Sequence, residues 1–178
     1  MTSQRKFDEV DRNRVVKEVQ KTLQITLSPI GRYRKYFKGD DQKNYCIIGG
    51  YGDWHGLQGE FLLPLASGEK DRVLVIARVL RNRMELYAAS MQELIRNKDR
   101  LVIAKNSTGS EYQFDVEYKY KDRASIQRIP SFYLKKIHEF EYDRENGDFV
   151  SHFKSLSDGQ KREFLERLIA NSKIKEKS

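Results

Sequence analysis

One cysteine, one tryptophan, three histidines and three prolines are all that 178 residues contain of these types, and each scarcity removes a class of protein. A single thiol, Cys46, closes no disulfide within the chain and builds no multi-cysteine zinc site. In the apolar run YCIIGG it reads as a small buried hydrophobe. The histidines, His55, His138 and His152, lie far apart in sequence, so they offer no compact ligand motif. No serine stands in a G-x-S-x-G elbow. No glycine-rich stretch leads into Gly-Lys-Ser/Thr or opens a helix as G-x-G-x-x-G. No apolar run approaches the ~20 residues that span a bilayer, and the start MTSQRKFDEVDRNR has no apolar signal core. The expectation is a cytoplasmic protein with no membrane partner, no cofactor and no resident metal.

What the chain does have is charge. Lys plus Arg number 34 against 26 Asp plus Glu, a formal +8 with a sequence pI near 9.5. The excess is concentrated early: residues 1 to 44 hold eleven Lys/Arg and six Asp/Glu. A field of this sign favours polyanions, nucleic acid foremost, and says nothing about sequence specificity. Apolar residues at 38% and charged residues at 34% suit one folded domain with a highly charged surface.

Residues 7 to 24 place Val15, Val16, Val19 and Leu23 at helical spacing with charges opposite, which predicts an N-terminal amphipathic helix. From 44 to 129, runs of Val, Ile, Leu, Tyr and Phe alternate with Gly, Asn, Asp and Ser, the texture of strands and turns. Strands are expected near 44 to 50, 60 to 65, 72 to 80, 83 to 89, 101 to 106, 111 to 120 and 125 to 129. Residues 131 to 142 fit a short helix or an extended edge. Ser157 with Gln160 three positions later predicts a capped C-terminal helix over 157 to 171, with a frayed tail from 172 to 178. The fold class read from this order is α+β, one domain over 1 to 178. Its centre would be a mostly antiparallel, strongly bent sheet or partly open barrel of about seven strands between flanking helices.

Three stretches carry candidate chemistry. In GRYRKYFK, residues 31 to 38, Arg32, Arg34, Lys35 and Lys38 can pair with phosphates while Tyr33, Tyr36 and Phe37 stack on bases or pack beneath the charges. In the glycine-rich stretch from 49 to 60, the glycines permit close backbone approach, and Tyr51 and Trp54 offer flat faces to a partner or plug the core. Asp53 and His55 stand beside them, and Arg81 and Arg83 in LRNR extend the basic surface. The third stretch, DVEYK, puts Asp115, Glu117 and Lys119 at alternate positions, a carboxylate-lysine pattern that metal-dependent nucleases use. Asp53, His55 and Glu60 are a second set of metal-type side chains. Phe164, Leu165, Leu168 and Ile169 form an apolar stripe on the last helix, suited to its own chain, to a partner domain or to a second copy.

The stretch YCIIGGYGDWHGLQGEFLLPL, followed by DRVLVIARV and MELYAAS, resembles the N-terminal domain of the McrB restriction subunit. Gly50, Gly52, Asp53, Trp54 and the residues from Phe61 match that family's strand, Gly-x-Gly-(Asn/Asp)-aromatic segment and following strand pair. The match spans residues 44 to 89, and HGLQGEF replaces the family's Ile-Pro-Trp step. The resemblance implies a non-catalytic module of a defence system that binds specific or modified duplex DNA. The competing readings are a metal-dependent nuclease and a protein-interaction module built on the last helix.

Overall fold

A computed structural model describes residues 6–106, 109–143 and 156–175. The chain divides into two compact units, Met1–Glu141 and Tyr142–Ser178. In the first, helix α1, Glu9–Leu23, starts where the Asp8 carboxylate accepts from the amides of Val10 and Asp11 at 3.0 and 3.2 Å. The Asp11 carboxylate accepts in return from the Asp8 amide at 3.1 Å. This reciprocal cap satisfies donors that an α-helix leaves open at its start. The helix ends at Gln24, whose left-handed backbone (φ 54) turns the chain toward the sheet.

Ten strands follow: β1 (Leu27–Pro29), β2 (Tyr36–Gly39), β3 (Asn44–Gly50), β4 (Trp54–Gln58), β5 (Arg72–Val79), β6 (Arg83–Ser90), β7 (Val102–Asn106), β8 (Gly109–Glu117), β9 (Arg123–Ile126) and β10 (Ile129–Glu141). They form one unclosed sheet in the order β1-β2-β3-β5-β6-β10-β9-β8-β4, with β7 also paired to β8. All pairs are antiparallel except β3 with β5. A short helix, α2 (Gln92–Arg96), leads out of β6.

The α+β class and the mostly antiparallel, open sheet agree with the sequence reading; the strand count does not. The seven expected strands become ten, because β1 and β2 are only three and four residues long and their Pro-Gly punctuation reads as loop. The strand expected at 60 to 65 is instead a 3-10 turn, Gly59–Leu62. Its place is taken by β4, hidden in sequence by the glycines around it. Residues 131 to 141 resolve as part of β10, which is interior rather than an edge, bonded to β6 on one side and β9 on the other.

Alternation along the strands builds the core. Cys46 and Ile48 of β3, Leu74 and Ile76 of β5, Leu57 of β4, Phe114 and Val116 of β8 and Leu134 of β10 all join one buried cluster. The inner faces of both halves of the sheet therefore pack on each other, which requires the sheet to bend over on itself. The alternate residues Ile47, Val75, Ala77 and Leu86 are buried on the outer face, and α1, with Val15 and Val19 fully buried, packs against β3. Each of the valine, leucine and isoleucine side chains among them contributes about 1.5–3 kcal/mol when removed from water. Gly49 admits Phe7 to this face: a Cβ there would lie 2.6 Å from the Phe7 ring and 2.8 Å from the Ala77 carbonyl.

The second unit contains helix α3, Asp158–Lys175. The Ser157 amide donates to Gln160 Oε1 at 3.0 Å and the Gln160 amide donates to Ser157 Oγ at 3.4 Å, the capping pair expected from the sequence. Among the described residues no helix is long and apolar enough to cross a membrane.

Candidate nucleic-acid interface

The register gathers most of the singled-out residues at one end of the sheet. Parallel strands β3 and β5 both finish there, at Gly50 and Arg78, so the Tyr51–Asp53 turn and the hairpin carrying Arg81 emerge side by side. The segment before β2 comes alongside the middle of β3, where the Ile47 amide donates to the Lys35 carbonyl at 2.8 Å. Arg34 reaches Glu9 of α1 at 3.1 Å. Lys38 alone sits at the far end, opposite Asn44 at the start of β3.

Within the 31 to 38 segment the cations and rings separate. Arg32, Arg34 and Lys38 face water, whereas Phe37 is buried. Tyr33 donates to Glu60 at 2.6 Å and meets the Phe61 ring edge-on at 5.9 Å. Tyr36 lies 4.9 Å from the same ring, with the Arg72 guanidinium 5.9 Å above its own. Arg72 is itself buried, bonded to both Glu69 oxygens (2.9 and 2.8 Å) and to the carbonyls of Phe61 and Leu63 at 3.1 and 2.6 Å. The tyrosines of this segment are thus committed to the protein body. Nearby, the buried Arg12 of α1 leaves its Nε without a hydrogen-bond partner, and burial lowers its pKa. Sequence reading did not single out Arg12, because an arginine in an amphipathic helix is expected on the wet face.

The glycine-rich stretch splits between water and core. Trp54 opens β4 and is 52% exposed, while its neighbour His55 is only 4% exposed. Period two puts them on opposite faces of the strand. His55 lies under Gly50 and 6.2 Å from the Phe114 ring, with Nε2 lacking a hydrogen-bond partner. Burial pushes its pKa down to about 4, so the ring is neutral near pH 7. The structure therefore places Trp54 and the exposed Asp53 outward, Tyr51 half-buried, and His55 inside, away from any groove.

Arg81 is exposed, and Arg83 is held by Glu85 at 3.6 Å and Glu139 at 3.5 Å. Glu85 is a buried hub, 6% exposed, that accepts from Tyr87 at 2.9 Å and Lys136 at 3.1 Å and faces Arg78 at 3.5 Å. Burial alone would raise its pKa; the hydrogen bonds from Tyr87 and Lys136 outweigh that and hold it below its ordinary value. Arg78 lies over the Tyr118 ring at 4.2 Å, and Tyr118 stands 5.1 Å from Tyr87.

Of the metal-type sets, Asp115 and Glu117 share a face of β8, but Lys119 lies past the strand end and pairs with Glu117 at 2.8 Å. Asp53, His55 and Glu60 are separated, Glu60 being taken by Tyr33. Among the described residues no group of three or more His, Cys, Asp or Glu side chains is placed to hold a metal ion. On α3, Leu165 and Ile169 are exposed; the side chain of Leu168 lies outside the described residues. Two further tyrosines, Tyr120 and Tyr133, are half exposed and flank Arg123, a grouping that sequence spacing does not reveal.

No protein-family model, no curated protein and no solved structure matches this chain.

Proposed function

We propose that this protein is a non-catalytic nucleic-acid-binding module, directed to duplex DNA, serving as the specificity domain of a restriction or other defence protein. One observation carries the reading: the chain's only tryptophan stands 52% exposed at the start of β4, beyond the turn that follows β3, at the end of the sheet from which the hairpin carrying Arg81 also emerges. Leaving so large an apolar ring in water costs hydrophobic stabilisation that a buried position would supply. An exposed ring at this position has the makeup of a contact with a base or groove wall, while Arg32, Arg34, Lys35 and Arg81 take phosphates. The defence-system role rests on the resemblance over residues 44 to 89.

The test is a binding titration against duplex and single-stranded DNA and RNA at two salt concentrations. Replacing Arg32, Arg34 and Lys35 together by alanine should weaken binding to every sequence alike and lower the salt slope by roughly 0.9 for each phosphate no longer neutralised. Trp54→Ala should mainly reduce preference among sequences. No binding by the wild type even at low salt sinks the proposal; an unchanged slope in the triple variant removes those cations from the interface.

A further inference from the structure

Directly paired residues in a ladder share a face, and that rule can be followed across half the sheet. Trp54 of β4 pairs with Asp115 of β8; two residues on, Glu117 pairs with Ser125 of β9. Ser125 pairs with Tyr133 of β10, and Arg123 with Lys135. Trp54, Arg123, Tyr133 and Lys135 therefore lie on one face, the outer face, beyond the strand β3 that α1 packs against. Trp54 and Tyr133 are three strands apart, on the order of 15 Å at the usual strand spacing.

The centre of this face is a stack. The Arg123 guanidinium lies 4.4 Å from the Tyr120 ring and 4.9 Å from the Tyr133 ring. Both rings are about half exposed, at 50% and 48%. Among the described residues Arg123 has no carboxylate partner, and neither do its exposed neighbours Lys121 and Lys135. Such a cation, held by two rings and not neutralised, keeps its charge available while the rings keep its plane fixed. Beside Tyr133 a shallow groove of about 390 Å³ opens between α2 and β10, with Ser90, Gln92, Arg96 and Ser131 among its walls.

Flat exposed rings interleaved with unpaired cations match a polymer with flat apolar units on an anionic backbone. A duplex hides the base faces in its own stack, whereas an unpaired strand presents them. We infer that this face, from Trp54 to Tyr133, binds unpaired nucleotides, with bases on the Trp54, Tyr120 and Tyr133 rings and phosphates on Arg123, Lys121 and Lys135. The inference rests on the nucleic-acid part of that reading and goes beyond its duplex target, adding an unpaired strand as the ligand of this face. Asp115 and Glu117 lie between Trp54 and Arg123 and repel phosphate, which directs the backbone along the Arg123 side. Glu117 is already partly neutralised by Lys119.

The experiment is fluorescence anisotropy with a labelled oligothymidine strand and a labelled hairpin duplex of equal charge, on the full chain. Tyr133→Ala and Tyr120→Ala are each expected to weaken oligothymidine binding about tenfold and hairpin binding less than about twofold. Tyr133→Phe, which keeps the ring, should restore the wild-type affinity, and melting curves should show all three variants folded. Oligothymidine binding that is unchanged in both alanine variants overturns the inference and leaves the broader proposal standing. So does a wild type that binds the hairpin alone. A wild type that binds neither probe at low salt removes both.

Discussion

Two regions of this molecule mix the same residue types and meet opposite fates. The segment from 31 to 38 and the stretch from 119 to 135 each mix arginine, lysine and tyrosine. In the first, Tyr33 and Tyr36 turn inward onto Phe61, and Arg34 is paired with Glu9. In the second, Tyr120 and Tyr133 stay half exposed and hold Arg123 between them. The difference comes from neighbours: the Phe61 turn and the buried Arg72 supply an apolar and hydrogen-bonded seat for the first pair of rings. The outer face of β9 and β10 supplies none. Basic-aromatic interleaving in sequence therefore marks a candidate, and ladder parity decides whether its rings reach solvent.

The largest expected effect lies under the first region. Arg72→Ala leaves the Glu69 carboxylate buried without its cation and frees the carbonyls of Phe61 and Leu63. Denaturant unfolding should register a loss of about 3–5 kcal/mol.

His55 and Trp54 extend the contrast to adjacent residues on opposite faces. The His55 pKa is lowered from its ordinary 6.5 to about 4, so between those values the unfolded chain binds more protons than the folded one. Stability from this group is complete above pH 6.5 and is lost as the pH falls toward 4, by about 3 kcal/mol in all. His55→Leu should abolish that part of the pH dependence, read as unfolding free energy at pH 7 and pH 4.5. Equal slopes in variant and wild type would contradict it.

Tyr36→Ala should cost about 2 kcal/mol of stability, and Tyr133→Ala no more than about 0.5 kcal/mol, by the same unfolding assay. Equal losses would erase the comparison. The smallest effect belongs to Arg34→Ala: its ion pair with Glu9 is exposed on both sides, so thermal melting should barely move, while the salt slope of DNA binding falls.

Much of the fold was legible because its signals are local. The valine stripe of α1, the near-continuous apolar run of β5 and the Ser157–Gln160 pair each announce an element without reference to the rest of the chain. The strand β4 was not legible, since Gly56 and the polar residues around it read as loop until β8 pairs with them. FLLPL reads as a strand, yet Arg72 grips its carbonyls and holds the turn that precedes them. In β10 a bulge between Lys136 and His138 breaks the alternation that would have identified the strand. The residues of the candidate site were legible only as residue types. Trp54 and the arginines could be named, but their orientation needed strand parity, and the meeting of Tyr120, Arg123 and Tyr133 needed the pairing of β9 with β10.

Because Trp54 is the chain's only tryptophan, its emission reports directly on the residue that carries the functional proposal. Titration of DNA into the protein at low and high salt, followed by intrinsic fluorescence, is the most direct test. Saturable quenching of Trp54 that weakens as salt rises is the expected result. Emission unchanged by duplex or single strand at low salt would contradict the account.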